Sequence, residues 1–289
     1  MICNLCPRMC NTDRSQKAGY CGQSEKIKIA RAALHFGEEP VISGKEGSGT
    51  VFFSGCSMKC CFCQNYPISS EGFGKEISAE RLSEIFLELQ NQGANNINLV
   101  SPTHFVPQII SALDKARLNI PVVYNTSGYE RVETLRMLEG YIDVYLTDFK
   151  YKNREIAEKY SKAPDYYEYA MAALLEMYRQ TGKTVVAEGK MKKGVIIRHL
   201  VLPGCRRDGM EIFRDISERI PPADVFVSLM SQYTPCYKAS DYPEINRRIT
   251  TFEYKKVVEE AEKLGFDGFM QERTSATLDM TPDFDLTGC

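Results

Sequence analysis

From Thr50 onward, short apolar runs alternate with helical stretches of about 10–15 residues, the pattern of successive βαβ units, and this alternation restricts the fold more than any other property of the chain. The first strand is Thr50-Val51-Phe52-Phe53, followed by a Cys-rich turn and a helix over Ser78 to Gln92, with Leu82, Ile85, Phe86 and Leu89 at i, i+3, i+4 and i+7. Ser78 suits its N-cap and Gly93 its C-terminal stop. Further strands are expected at Ile97 to Val100, Pro121 to Tyr124, Asp143 to Leu146, Val195 to Leu202, Val225 to Leu229 and Gly268 to Met270. Between them lie helices over Val106 to Arg117, Arg131 to Leu138, Asn153 to Thr181 (divided at Pro164), Gly209 to Arg219 and Phe252 to Leu264, the last opened by a Thr250/Glu253 capping box. The fold class is therefore α/β: a partial or full parallel (β/α) barrel over residues 49–289, with an open doubly wound sheet as the alternative. Residues 1–48 form a small Cys-rich segment and a connection, and Lys183 to Gly194 reads as a solvated hairpin.

Composition narrows the function. A chain of 289 residues that is 43% hydrophobic can bury a large core, and a net charge of −2 offers no extended field for a polyanion, so nucleic acid is not an expected partner. The N-terminus has no apolar signal core and no stretch reaches the ~20 apolar residues of a membrane helix, so a cytoplasmic location with no membrane partner is expected. Eleven cysteines is an odd number, ill suited to a complete disulfide framework, and they cluster: Cys3, Cys6, Cys10 and Cys21, then Cys56, Cys60, Cys61 and Cys63. Metal ligation explains them better.

In a parallel barrel the reactive groups sit at the C-terminal strand ends, and those positions here are polar. They include Ser101-Pro102-Thr103-His104, Asn125-Thr126-Ser127, Asp148-Phe149-Lys150, Arg198-His199, Ser231-Gln232 and Gln271-Glu272-Arg273. The strongest motif is Cys56-x3-Cys60-x2-Cys63, directly after the first strand. Three thiolates on one loop can hold three irons of a [4Fe–4S] cube and leave the fourth open, as a catalytic metal centre requires. Cys61 reads as a buried apolar thiol; a zinc site completed from elsewhere is the bland alternative. Cys3-x2-Cys6-x3-Cys10-x10-Cys21 could fill either a zinc ion or a second iron–sulfur cluster. A lone histidine is usually structural, but His199 lies on a barrel strand beside Arg198, which makes it a candidate contact.

With Phe62 between Cys60 and Cys63, the loop resembles the C-x3-C-x-aromatic-C signature of the radical S-adenosylmethionine (SAM) enzymes, and the resemblance spans about Gly49 to Glu272. The Asp148-Phe149-Lys150 strand end, the Val201-Leu202-Pro203-Gly204 turn and the Cys-rich N-terminus make it similar, more narrowly, to the pyruvate formate-lyase activating enzymes. The resemblance implies a cluster on Cys56, Cys60 and Cys63 that reductively cleaves S-adenosylmethionine to a 5′-deoxyadenosyl radical, which abstracts a hydrogen atom from the substrate. It implies a flavodoxin or ferredoxin as external electron donor and a glycyl radical enzyme as partner. Implied cofactor contacts are Pro102, Thr103, Asn125, Ser127, Asp148, Lys150 and His199, and candidate substrate contacts are Arg198, Gln232, Gln271 and Glu272. Two features depart from the family pattern. Ser101-Pro102-Thr103-His104 replaces the Gly-Gly-Glu that meets the methionine amino group, and Tyr124-Asn125-Thr126-Ser127 lacks the aspartate often found there. Other readings are a radical enzyme acting on a small molecule and a non-enzymatic iron–sulfur or zinc protein, although an electron carrier has no need of six βα units.

Overall fold

The computed structural model describes residues 2–271 and 281–289. In chain order the elements are β1 (Ile2–Cys3), β2 (Thr12–Asp13), β3 (Ile27–His35), α1 (Pro40–Ser43), β4 (Ser48–Phe53), α2 (Tyr66–Ser69), β5 (Lys75–Ile77), α3 (Ala79–Asn91), β6 (Ile97–Val100), α4 (Val106–Ala116), β7 (Val122–Thr126) and α5 (Val132–Met137). They continue with β8 (Val144–Asp148), α6 (Arg154–Ser161), α7 (Tyr166–Thr181), β9 (Val185–Ala187), β10 (Lys190–Leu200), α8 (Arg206–Ser217), β11 (Phe226–Met230), α9 (Thr251–Lys263) and β12 (Asp267–Met270).

Strands β4, β6, β7, β8, β10, β11 and β12 pair in parallel in that spatial order. Spatial order follows sequence order with no reversal, so the sheet lacks the switch point of a doubly wound fold. Its path ends at β12 on one side and β5 on the other without closing, so the barrel is partial, not full. Every residue of β4, β6 and β7 is buried, as expected of parallel strands covered on both faces.

The helices form where periodicity and caps agree. In α3, Leu82, Ile85, Phe86 and Leu89 are buried, and the Ser78 hydroxyl accepts from the Arg81 amide at 3.1 Å. Thr250 and Glu253 make the reciprocal capping box of α9. The Lys183 to Gly194 segment is the expected hairpin, and it lengthens β10: residues 190–193 pair antiparallel with β9 before the strand enters the parallel sheet, so β10 begins at Lys190 rather than Val195. Helix α8 starts at Arg206 instead of Gly209, because the Pro203-Gly204 turn has already ended the strand.

Strand β3, in the segment preceding the barrel, runs antiparallel beside β4 and carries β5 on its other edge, so the sheet itself joins that segment to the barrel. The C-terminal tail lies along β3: the Leu286 amide donates to the Ala30 carbonyl at 3.0 Å, the Ala32 amide donates to the Thr287 carbonyl at 2.8 Å, and Phe284 meets Phe52 edge-on. Gly288 (φ 73°) allows this approach, since a Cβ there would stand 2.0 Å from the Ala32 carbonyl oxygen. Among the described residues no helix is long and apolar enough to cross a membrane.

Candidate active site

The cluster loop leaves β4 through Gly55 (φ 91°), where a Cβ would collide with Gln23 at 2.4 Å and with the Cys21 carbonyl at 2.8 Å. The loop then turns Cys56, Cys60 and Cys63 into one cavity of about 150 Å³, shared with Ser127, Asp148 and Lys150. Each sulfur faces a hydrogen-bonding group: the Met58 amide donates to Cys56 at 3.3 Å, the Ser161 hydroxyl donates to Cys60 at 3.0 Å, and Ser69 Oγ lies 3.3 Å from Cys63. Cys61 faces the other way, into a separate cleft. Phe62 packs edge-on against Tyr233 and Tyr160 and seals the loop to the core.

Burial pushes the Cys63 thiol up to about 12 and raises Cys60 as well. A cationic iron centre reverses that preference, because it stabilises the thiolate that binds it. Among the described residues no three His, Cys, Asp or Glu side chains stand close enough to hold a single metal ion. A [4Fe–4S] cube spreads its ligands over separate irons and suits three soft thiols on an open loop; the donor set fits it.

Opposite the thiols, three strand ends meet in a buried ionic network. Lys150 Nζ lies 2.6 Å from Asp148, and Arg198 Nε lies 2.9 Å from the other oxygen of the same carboxylate. The Arg198 guanidinium also donates to Asn125 Oδ1 at 2.6 Å and reaches Glu38 at 3.2 Å, while Asn98 and Asn125 both donate to Glu38 Oε1. Burial opposes every one of these charges. At Asp148 the Lys150 and Arg198 cations outweigh it and hold the carboxyl below its usual range; at Lys150 the Asp148 carboxylate outweighs it and keeps the ammonium above its own. At Glu38 burial prevails over the Arg198 cation and raises the carboxyl. Gly128 (φ 77°) brings the ends of β7 and β8 together, and Tyr166 ties them: its hydroxyl accepts from the Lys150 amide at 2.9 Å and lies 2.8 Å from the Ser127 carbonyl.

Of the residues singled out from the sequence, Asn125, Ser127, Asp148, Lys150 and Arg198 line the cavity with the three cysteines. Gln232 lines the adjoining cavity of about 220 Å³, and Gln271 donates to its side chain at 3.2 Å. Glu272 lies outside the described residues. Thr103 turns away, its hydroxyl donating to the buried Glu130, and Pro102 caps a short 3-10 turn instead of lining the cavity. Ser101 takes their place at the cavity wall, with left-handed backbone (φ 57°). His199 projects to the opposite face of β10 from Arg198, bonded through Nδ1 to the Phe149 carbonyl and edge-on to Phe213. Burial lowers its pKa to about 4, so it is a neutral packing residue.

In the N-terminal segment Cys6 and Cys21 are buried and Cys3 and Cys10 half-buried. A Cβ on Gly19 would lie 3.3 Å from Cys10 Sγ and 3.7 Å from Cys21 Sγ, so these two sulfurs flank one glycine. Burial raises Cys6 to about 12, and the neighbouring Cys21 and Cys3 thiols push in the same direction. All eleven cysteines are free thiols.

Glu38 escaped the sequence reading. Its only signal is the Glu38-Glu39-Pro40 pair after β3, which composition assigns to a solvated turn. Gln64 and Asn65, just past the last cysteine, also line the site.

Two comparisons bear on this arrangement. Over 277 residues the chain is 36% identical to an uncharacterized protein of Methanocaldococcus jannaschii, covering 92% of this chain and 75% of that protein. Residues 50–215, the span that carries the three-cysteine loop, the Asp148/Lys150 strand end and Arg198, match the radical SAM superfamily, and the chain belongs to it.

Proposed function

We propose that the chain is a radical SAM enzyme of the glycyl-radical-activating type, in which a 5′-deoxyadenosyl radical takes a hydrogen atom from a glycine of a partner protein, leaving 5′-deoxyadenosine and a glycyl radical. The observation that carries the first half of this reading is a single cavity lined by Cys56, Cys60 and Cys63 on one wall and by Asp148, Lys150 and Arg198 on the other, with Cys61 excluded. Cys56, Cys60 and Cys63 would hold a [4Fe–4S] cluster, which when reduced would supply the one electron needed to cleave the sulfonium of S-adenosylmethionine to methionine and a 5′-deoxyadenosyl radical.

The residues around it bind and orient. Lys150 and Arg198 present cationic donors for the methionine carboxylate, and Asp148 holds both in place. Asn125 and Ser127 offer polar contacts along the β7 end. Glu38, reaching in from the segment before the barrel, braces Arg198 from behind. Gln64, Gln232 and Thr234 border the adjoining cavity, where the substrate enters, and Gln271 orients Gln232. Support for a protein substrate comes from the Asp148-Phe149-Lys150 strand end and from the short polar segment Gln232-Tyr233-Thr234 at this mouth. In this reading Cys3, Cys6, Cys10 and Cys21, which do not form a single-ion site as they stand, hold an auxiliary cluster, or a structural zinc once the four thiols close around it, and the free thiols suit a reducing cytoplasm.

The test is anaerobic reconstitution with iron and sulfide, followed by reduction with S-adenosylmethionine present. Formation of 5′-deoxyadenosine is expected, and with a glycyl radical enzyme added, a glycyl doublet by electron paramagnetic resonance. Turnover on a small metabolite without any doublet would replace the protein substrate with a small molecule. Elemental analysis of the triple Cys56/Cys60/Cys63→Ala protein checks the N-terminal site; a preparation with neither zinc nor iron rejects it.

A further inference from the structure

The turn Cys6-Pro7-Arg8-Met9 carries Arg8 out of the four-cysteine segment and onto the cluster loop. The Met9 amide closes the turn on the Cys6 carbonyl at 3.0 Å, and Pro7 occupies the corner that its fixed φ suits. The half-buried Arg8 guanidinium then donates to three main-chain carbonyls distant in sequence. Nε donates to Ser57 at 2.8 Å, Nη2 to Ser161 at 2.9 Å and Nη1 to Lys162. Ser57 stands between Cys56 and Cys60 in the loop, whereas Ser161 is the last residue of α6 and Lys162 its C-cap.

This end of α6 favours a cation. Carbonyls at a helix C-terminus lack intrahelical donors and carry the negative end of the dipole, and Lys162 turns left-handed (φ 51°) where the helix stops against the guanidinium. Two rings fix the plane of the fork: Arg8 Cζ lies 4.5 Å from the Tyr20 centroid and 5.1 Å from that of Tyr129. Little freedom is left to a planar group pinned by three carbonyls and two rings.

The two elements that Arg8 joins are those that meet at Cys60. Ser161, whose carbonyl accepts from Arg8, donates its own hydroxyl to Cys60 Sγ at 3.0 Å, and the Cys61 amide donates to the Tyr160 carbonyl at 2.9 Å. A second arginine of the same segment steadies the root of the loop: Arg14 donates to the His104 carbonyl, and His104 Nε2 donates to the Ser54 carbonyl at 2.7 Å. Arg8 differs in spanning both sides of the Cys60 sulfur.

We propose that Arg8 is a positioning residue for the cluster: by fixing Ser57 and the end of α6 together it holds the Ser161 hydroxyl on the Cys60 sulfur, so that the four-cysteine segment, through Arg8, tunes the reduction potential of the radical centre. The inference rests on the radical SAM reading of the three-cysteine loop. A hydrogen bond to a ligand sulfur stabilises the reduced, more negative cluster, so slackening the fork lowers the potential.

The experiment compares reconstituted wild type with Arg8→Ala, Arg8→Lys, Ser161→Ala and the two double variants by potentiometric titration followed by electron paramagnetic resonance. Lysine keeps the charge but is a point donor that cannot bridge the loop and the helix end. Both Arg8 variants should shift the potential in the same direction as Ser161→Ala and by no more, and each double variant should match Ser161→Ala alone, because the two changes remove one bond. An unchanged potential in the Arg8 variants, full restoration by lysine, or shifts that add in the double variants overturns the proposal; if Arg8→Ala fails to fold, Arg8→Lys and its double variant carry the comparison. Hydrogen exchange in the iron-free full-length proteins tests the clamp without a cluster. The Cys61 amide should exchange about tenfold or more faster in the Arg8 variants, and equal protection overturns the proposal as well. Faster exchange in a protein whose wild type assembles no four-iron cluster on the three-cysteine loop would instead strike the radical SAM reading and leave the Arg8 clamp standing.

Discussion

Ser161 donates its hydroxyl to the Cys60 sulfur at 3.0 Å across 101 positions of sequence, and Tyr151 Oη lies 2.8 Å behind it. The buried end of α6 thus reaches the cluster loop. Hydrogen bonds to ligand sulfurs stabilise the reduced, more negative state of an iron–sulfur cluster. Ser161→Ala should leave the cluster in place and lower its midpoint potential by roughly 40 mV, the one-electron equivalent of about 1 kcal/mol of hydrogen bond. A potentiometric titration followed by electron paramagnetic resonance reads this directly; an unchanged potential would remove Ser161 from the cluster environment.

Cys56→Ala, Cys60→Ala and Cys63→Ala should each reduce 5′-deoxyadenosine formation to background, because the loss of any one of three anchors leaves the cube labile. Cys61→Ala should retain iron and activity, since its side chain lines the outer cleft and burial, not a metal, sets its environment. Iron content and activity of the four variants decide the assignment. Cluster loss in the Cys61 variant together with retention in the Cys60 variant would reverse it.

The βα rhythm was legible because buried parallel strands and amphipathic helices impose periods that composition cannot hide, and all seven parallel strands fall where apolar runs place them. Strand order and closure were not, since pairing is a long-range choice with no local signature. Arg198 and His199 illustrate the limit within the site. Alternation along β10 says that one faces inward, but only the packing of His199 against Phe213 and under α8, where a Cβ on Gly209 would lie 2.6 Å from its Nε2, fixes which. Glu38 was invisible for another reason: an acidic pair beside proline reads as solvated, and its burial arises from contacts with Asn98, Asn125 and Arg198, up to 160 positions away.

Lys150→Ala and Asp148→Ala should both weaken S-adenosylmethionine binding without altering the cluster spectrum. Truncating one partner of a buried, hydrogen-bonded charge pair costs about 2 kcal/mol or more, which is over tenfold in affinity. The two variants act differently. Removing Lys150 deletes a cation from the carboxylate pocket, whereas removing Asp148 releases both Lys150 and Arg198 from the positions it imposes. Calorimetric titration of the reconstituted proteins measures both, and wild-type affinity in the two variants would exclude the β8 end from the cofactor site.

Glu130 gives the protein a pH-dependent stability that is separate from the cluster. It is fully buried behind β7, with Thr103 and Thr126 both donating to Oε1 and Oε2 left without a partner. Burial raises its carboxyl to about 7 from an ordinary 4.5, more than the hydroxyl donors can offset. The folded state therefore keeps its proton over a range in which the unfolded chain has released it. Stability from this group is complete below about pH 4.5, declines as pH rises toward 7, and is lost above it, a difference of up to about 3 kcal/mol. Glu130→Gln retains an acceptor for the two threonines and cannot ionise. Urea denaturation of wild type and variant at pH 5.5 and pH 8 should show the variant gaining on wild type as pH rises, by about 1–3 kcal/mol between the two conditions. A parallel pair of profiles, with the gap between the proteins the same at both pH values, would mean that Glu130 is ionised in the folded state throughout and that its environment is wetter than its burial implies.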